Sequence, residues 1–344
     1  MKEKNVIIQV LRIIACIGVF NGHFLGLTLN SNLTTSFLSF LRNGWISRTV
    51  LCLLFQGDTN VRLFFVISGY LSMVSLTRAE KNIVKKVVNR YIFLVVPAIM
   101  VTLMCGICWK IQEMLGSTNV NFKIDELFYD IIKIVVTGGI PYYSYQLWFI
   151  NDMCNCMFLL AAMYLLWQEN ETKLIKILYL IIWGILSLKS VSYFSFFCGM
   201  MAAVLAKEER IVLIGKKYRN VISVLCVLLF PFLFNEQHLS AYNIMTLSIC
   251  FAILLLTISV KNGNGLKPFC KKGIDFLDNN SYSFYLVHVF VQKTVTANVY
   301  YVCPKYIQNE IWLIVMLYVF TFGITWILAH VFTKTVIIRV RKVF

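Results

Sequence analysis

Two basic side chains inside one apolar stretch carry the first chemical signal of this chain. Arg12-Ile13-Ile14-Ala15-Cys16-Ile17-Gly18-Val19-Phe20-Asn21-Gly22-His23 is apolar apart from its ends, one Asn and two Gly. On a helix, eleven steps of about 100° return to within roughly 20° of the starting direction, with the two ends about 16 Å apart along the axis. An arginine in a membrane helix costs at least about 2.5 kcal/mol by insertion scales, so Arg12 is expected to face protein or a wet cavity. Histidine, with an unperturbed pKa of about 6.5, can take a proton or a transferred group near neutral pH. The pair fits group transfer across a membrane, or a substrate path. The plainer alternative has Arg12 snorkelling to the inner headgroups and His23 near the outer interface.

What must position these residues is a set of membrane helices. The 344 residues are 59% hydrophobic and 14% charged, with a mean hydropathy of +0.75. The apolar runs recur at lengths near 20 residues rather than as short alternating strands, which predicts an all-α, polytopic membrane protein. No long polar stretch interrupts them, so residues 1–344 are expected to form a single membrane domain without an appended soluble one. Met1-Lys2-Glu3-Lys4 is similar to a signal n-region. The apolar run behind it is too long and lacks a small-residue cleavage site, so it reads as an uncleaved first helix.

About ten spans are predicted, at residues 6–28, 61–77, 91–109, from 145, 174–188, 191–206, 220–234, 241–260, 281–302 and 311–333. Between the third and fourth, residues 125–136 are amphipathic and are expected to lie along the membrane interface. The net charge of +16 does not point to nucleic acid, because most Lys and Arg fall in connections on one side. That bias predicts both termini in the cytoplasm and a multi-pass protein of the cell membrane. Arg12 then falls about two turns in from the cytoplasmic face and His23 in the outer half. The eleven cysteines are scattered through apolar segments. Cys105 and Cys108 have CxxC spacing but no second pair or nearby histidine, so they read as small core residues, and no metal is expected.

Five segments in order resemble one family, the acyltransferase-3 family of integral-membrane O-acyltransferases. Arg-x10-His in the first span is present as Arg12 and His23. The Phe-Phe-x-x-Ser-Gly-aromatic-Leu segment of the second is present as Phe64-Phe65-Val66-Ile67-Ser68-Gly69-Tyr70-Leu71. A basic stretch, then Arg, then Pro at the third is similar to Lys85-Lys86, Arg90 and Pro97. Leu147-Trp148-Phe149-Ile150 resembles the family's Leu-Trp-Phe segment, and Ser281-Tyr282-Ser283-Phe284-Tyr285-Leu286-Val287-His288 its late Ser-Tyr-x-x-Tyr-Leu-x-His segment. Each is weak alone; their order from the first span to the ninth makes the likeness specific. Some members carry a Trp-Ser-Leu-x-x-Glu version of the fourth-span segment, whereas here the nearest acid is Asp152, so no role is carried over to a carboxylate there.

The resemblance implies transfer of an acyl group, acetyl first, from cytoplasmic acyl-CoA such as acetyl-CoA to a hydroxyl of a surface or capsular polysaccharide or its lipid-linked precursor. Such a transfer needs a base for the O–H and positive charge or N–H donors near the developing oxyanion. His23 is the expected base, or the residue that takes the acyl group covalently. Arg12 is expected to hold the CoA end or polarise the thioester carbonyl. No phosphate-cradling glycine loop is present, so CoA phosphates would be met by point charges in the run Arg78, Lys81, Lys85, Lys86 and Arg90, with Arg90 favoured; inner-side charges exist regardless of ligand. Tyr285 and His288, at i and i+3, are placed beside the donor path or against Arg12. Ser68, Gly69 and Trp148 are assigned to the substrate path, with close helix packing as the equal alternative for the first two. His238 and His330 read as structural. Asp58 and Arg62, at the outer mouth, are placed near the sugar by position alone.

Two other functions share this span pattern. A lipid-linked-glycan flippase or transporter could use the Arg12–His23 path without covalent chemistry, though such proteins often show paired repeats and broken helices, and neither is evident. A polysaccharide polymerase would need a large charged outer loop, and the segment 110–143 is modest.

Overall fold

A computed structural model describes residues 5–25, 36, 39–40, 54–78, 82–114, 121–169, 172–229, 241–259, 268–296 and 310–343. Lys81 and His238 lie outside the described residues. Among the described residues the structure is helical and has no strand. The helices are α1 (Val6–His23), α2 (Gly57–Thr77), α3 (Ile83–Met114), α4 (Ile124–Val135), α5 (Trp148–Glu169), α6 (Lys173–Ser187), α7 (Val191–Leu205), α8 (Glu209–Leu229), α9 (Ala241–Ile258), α10 (Pro268–Val291), α11 (Glu310–Phe332) and α12 (Ile338–Val343). A 3-10 turn, Tyr145–Leu147, leads into α5, and π turns, Gln292–Thr296 and Thr333–Ile337, extend α10 and α11.

Five segments are long and apolar enough to cross a membrane: Val6–His23, Gly57–Thr77, Ile83–Met114, Tyr145–Gln168 and Ile311–Val343. The apolar helices Val191–Leu205 and Tyr242–Ile258 are shorter. Large apolar side chains stand exposed along α6 (Leu174, Ile177, Ile181, Ile185) and α11 (Val315, Val319, Ile327). Water would penalise such faces and lipid would not. α4 buries Leu127, Asp130 and Ile134 and exposes the i, i+4, i+8 stripe Ile124, Phe128 and Ile132, as an interfacial helix does.

Three helices start well before their apolar runs. α3 begins at Ile83 rather than 91, α8 at Glu209 rather than 220, and α10 at Pro268 rather than 281. Hydropathy excludes Lys85, Lys86 and Arg90 from a span, yet Lys and Arg are good helix formers. α10 opens on Pro268, whose fixed φ suits the first helical position. At about 1.5 Å per residue the 32 residues of α3 measure about 48 Å, longer than a bilayer core.

The chain divides into two compact units. The first comprises residues 1–19, 38–87 and 156–278. Its core joins Ile8 and Ala15 of α1 to Leu63, Val66 and Ile67 of α2, Cys198 and Ala202 of α7, and Leu247, Phe251 and Leu255 of α9. α2 and α7 touch backbone to backbone. A Cβ on Gly69 would lie 2.0 Å from the Phe196 carbonyl oxygen, and one on Gly199 would lie 1.9 Å from that of Val66. α1 meets α2 through a side chain instead, since a Cβ on Gly18 would lie 2.2 Å from Asn60 Nδ2.

The second unit comprises residues 20–37, 88–155 and 279–344. Its centre is Phe20, fully buried and packed against Phe24 (6.0 Å between ring centroids), Phe284 (5.5 Å), Tyr318 (5.8 Å) and Phe322 (5.4 Å). Polar bonds fix the end of α1 there. Gln292 Nε2 donates to the Phe20 carbonyl (3.1 Å) and the Tyr318 hydroxyl to Asn21 Oδ1 (2.8 Å).

Candidate active site

In the first unit, Arg12 faces a carboxylate. Gln9 and Arg12 are three apart on α1, and Asp275 and Asp278 three apart on α10, so each pair shares a helix face. Gln9 Nε2 donates to Asp275 Oδ1 (2.8 Å) and Asp278 Oδ2 (3.2 Å), while Arg12 Nη1 lies 3.0 Å from Asp278 Oδ1. That last contact lacks hydrogen-bond alignment and is held by charge. The Asp278 side chain is 1% exposed and that of Arg12 29%, so the acid is sealed and the guanidinium keeps an open edge. Asp278 falls between the predicted spans 241–260 and 281–302, where the sequence predicts a connection. The signal was present: an acid three residues before Ser281, on a helix that starts earlier than its hydropathy.

In the second unit, His23 sits among Tyr145, His288 and Tyr285. The Tyr145 hydroxyl is 3.3 Å from His23 Nδ1, with the rings edge to face at 5.8 Å. The His288 ring is 5.2 Å from the His23 ring. His288 Nδ1 donates to the Tyr285 carbonyl (2.5 Å), which places its N–H there and leaves Nε2 as a lone-pair acceptor. That Nε2 is buried with no hydrogen-bond partner among the described residues. Tyr285 packs its ring 4.9 Å from that of Phe149 and donates its hydroxyl to the Gln146 carbonyl (3.0 Å). The 3-10 turn carrying Tyr145 is thereby tied to α10.

The loop that delivers Tyr145 is held by Asp130 of α4, 1% exposed. Its carboxylate accepts from the backbone N–H of Tyr142 (2.7 Å) and Tyr143 (2.8 Å), with the Lys133 ammonium at 3.4 Å. Thr137 adopts φ 53° and Gly139 φ 97°, and a β-branched residue in that region needs support. The Thr137 hydroxyl donates to Asn155 Oδ1 (2.7 Å), and Asn155 Nδ2 donates to the Thr137 carbonyl (3.2 Å). Tyr143 closes the loop by donating to the Lys123 carbonyl and accepting from its N–H. Burial pushes the Tyr143 phenol up from its usual pKa, so it stays a neutral donor.

A family model described as an acyltransferase domain matches residues 5–330. The chain belongs to the acyltransferase-3 family. No curated protein and no solved structure gives a significant match.

The remaining expected site residues of this acyltransferase are placed as follows. Lys86 donates its ammonium to the Ser75 carbonyl (3.1 Å) and so ties the start of α3 to the last turn of α2. Lys85 and Arg78 are exposed and Arg90 is half-buried. Gly69 occupies the α2–α7 crossing, and Ser68 beside it is half-buried. Trp148 opens α5 and is half-buried. Arg62 donates to Ser192 Oγ (2.5 Å), while Asp58 is exposed in the first turn of α2. His330 Nδ1 is 3.4 Å from Asn280 Oδ1. The structure therefore gathers His23, Tyr285 and His288, and adds Tyr145, which sequence reasoning used only as the start of a span.

Proposed function

We propose that this acyltransferase is a multi-pass protein of the cell membrane, with about ten spans and both termini in the cytoplasm. It moves an acyl group, acetyl first, from cytoplasmic acyl-CoA to a hydroxyl of a surface or capsular polysaccharide or its lipid-linked precursor. The family supports acyl transfer; the observation that carries the site is His23 held between Tyr145 and His288.

In the base form, His23 Nδ1–H donates to the Tyr145 oxygen and Nε2 carries the lone pair. The acceptor hydroxyl oxygen attacks the thioester carbonyl carbon while its proton passes to Nε2, and the carbonyl π pair moves onto oxygen. When the tetrahedral oxyanion collapses, the carbon–sulfur bond breaks, and the departing thiolate takes the proton back from His23. The products are a sugar ester and free CoA thiol. Arg90, Lys86 and Lys85 are assigned to CoA phosphates, and no metal takes part.

The test is transfer of radiolabel from acetyl-CoA to glycans extracted from the producing cell's envelope, using membranes that carry the full chain. Wild type should label the glycan, and His23→Asn should abolish labelling while the protein stays in the membrane. Labelling retained by His23→Asn would remove histidine from the mechanism. Absence of labelling with wild type would refute the donor and acceptor.

A further inference from the structure

The transfer needs positive charge or N–H donors near the oxyanion, and Arg12 already faces Asp278 at 3.0 Å. A second cation lies in the same unit as His23. Lys293, on the π turn that extends α10, places its ammonium 4.4 Å from the Tyr145 ring centroid and 6.0 Å from that of Trp109. Tyr145 is the residue whose hydroxyl meets His23 Nδ1. Lys293 and His23 therefore share one tyrosine, the first on its ring face and the second at its hydroxyl.

Lys293 is half-buried, and among the described residues no carboxylate pairs with it. Such an ammonium would ordinarily find a counter-ion or reach water. Aromatic faces attract it but do not neutralise it. The acids of this unit whose contacts are described are otherwise engaged. Glu113 meets Lys110, Glu126 meets Lys123, and Asp130 meets Lys133 and two backbone N–H groups. The turn beneath Lys293 is anchored, since the neighbouring Gln292 is 1% exposed and donates to the Phe20 carbonyl. π turns of this kind recur at functional sites, where they re-aim a side chain.

Resting on the acyltransferase reading above, we infer that Lys293 is a catalytic residue whose ammonium stabilises the acyl oxygen as it becomes negative. When the acceptor oxygen bonds to the thioester carbon, the π pair displaced onto the carbonyl oxygen is met by the Lys293 charge. The charge is released when that pair re-forms the carbonyl and the carbon–sulfur bond breaks, so Lys293 neither gains nor loses a proton. A fixed cation, waiting where charge develops and poorly solvated, acts more strongly than the same group in water.

The radiolabel assay with acetyl-CoA and extracted envelope glycans tests this, with wild type, His23→Asn, Lys293→Met and Lys293→Arg in parallel. Lys293→Met should lower kcat by about 100- to 1000-fold, the loss typical of one oxyanion donor, with the KM for acetyl-CoA within about threefold. Lys293→Arg, which keeps the charge, should recover at least about a tenth of wild-type kcat. A Lys293→Met enzyme with kcat within about threefold of wild type would overturn the inference. So would a rise in KM at unchanged kcat, which marks a ground-state anion site, and so would equal loss in the Met and Arg variants. If wild type itself transfers nothing, the donor and acceptor proposed above fail instead.

Discussion

Arg12 Nη1 stands 3.0 Å from Asp278 Oδ1, and the carboxylate it faces is sealed from solvent while the guanidinium is not. The cation of the Arg-x10-His motif is therefore not a lone charge in an apolar helix. Asp278 compensates it, and Gln9 orients that acid by donating to its second oxygen. Removing one member of a buried pair leaves the other uncompensated and costs about 3–5 kcal/mol, less where one side keeps water.

Asp278→Ala is accordingly expected to lower the stability of the detergent-solubilised protein by about 2–4 kcal/mol. The double variant Arg12→Asp with Asp278→Arg should recover part of that loss. Thermal unfolding of the purified protein reads both. A wild-type melting temperature for Asp278→Ala would show that the pair contributes nothing.

Tyr145→Phe removes the hydroxyl that meets His23 Nδ1 and keeps the ring under Lys293. One such hydrogen bond is worth about 0.5–1.5 kcal/mol net, so transfer should fall by up to about tenfold with membrane abundance unchanged. Initial rates of label transfer decide it, and an unaltered rate would separate the tyrosine from the histidine's orientation.

Gly69→Ala and Gly199→Ala each place a methyl group within 2.0 Å of a backbone carbonyl oxygen across the α2–α7 crossing. Backbone cannot yield as a side-chain tip does, so the helices must separate. Each change should cost about 1–3 kcal/mol or more, read as lost thermal stability and reduced yield. Gly273→Ala is the control, because a Cβ there meets nothing within 4 Å.

Asp130→Ala strips the acceptor from the Tyr142 and Tyr143 N–H groups, three and two residues before Tyr145. Each unsatisfied buried N–H costs about 1–3 kcal/mol. The loop should loosen, seen as faster backbone hydrogen exchange over 137–145, and label transfer should fall with it. Unchanged exchange across that loop would argue that Asp130 does not hold it.

The membrane character, the helical class and the order of the family segments were legible from the chain alone. Hydropathy is a local property, and so is a short motif, and neither needs partners to be read. The amphipathic stretch 125–136 was legible for the same reason, as a 3.6-residue pattern within one element, and it corresponds to α4 at Ile124–Val135. Helix starts were less so. Two or more charged N-terminal turns lower hydropathy without weakening the helix, which hid the beginnings of α3, α8 and α10.

Long-range neighbours lay beyond the sequence because a helix face has no meaning until another element covers it. Arg12 and Asp278 are separated by most of the chain, and only the packing of α10 on α1 within the first unit makes them partners. His23 was readable as a reactive type, and Tyr285 and His288 as an i, i+3 pair. That His288 lies against His23, and that Tyr145 and Lys293 meet there, depended on how α10 and the 137–145 loop are placed within the second unit. Sequence determined which residues could do chemistry in a membrane, because residue type and spacing set charge, pKa range and helical phase. Tertiary structure alone decided which of them touch, because contact depends on the burial and polar pairing of elements distant in the chain.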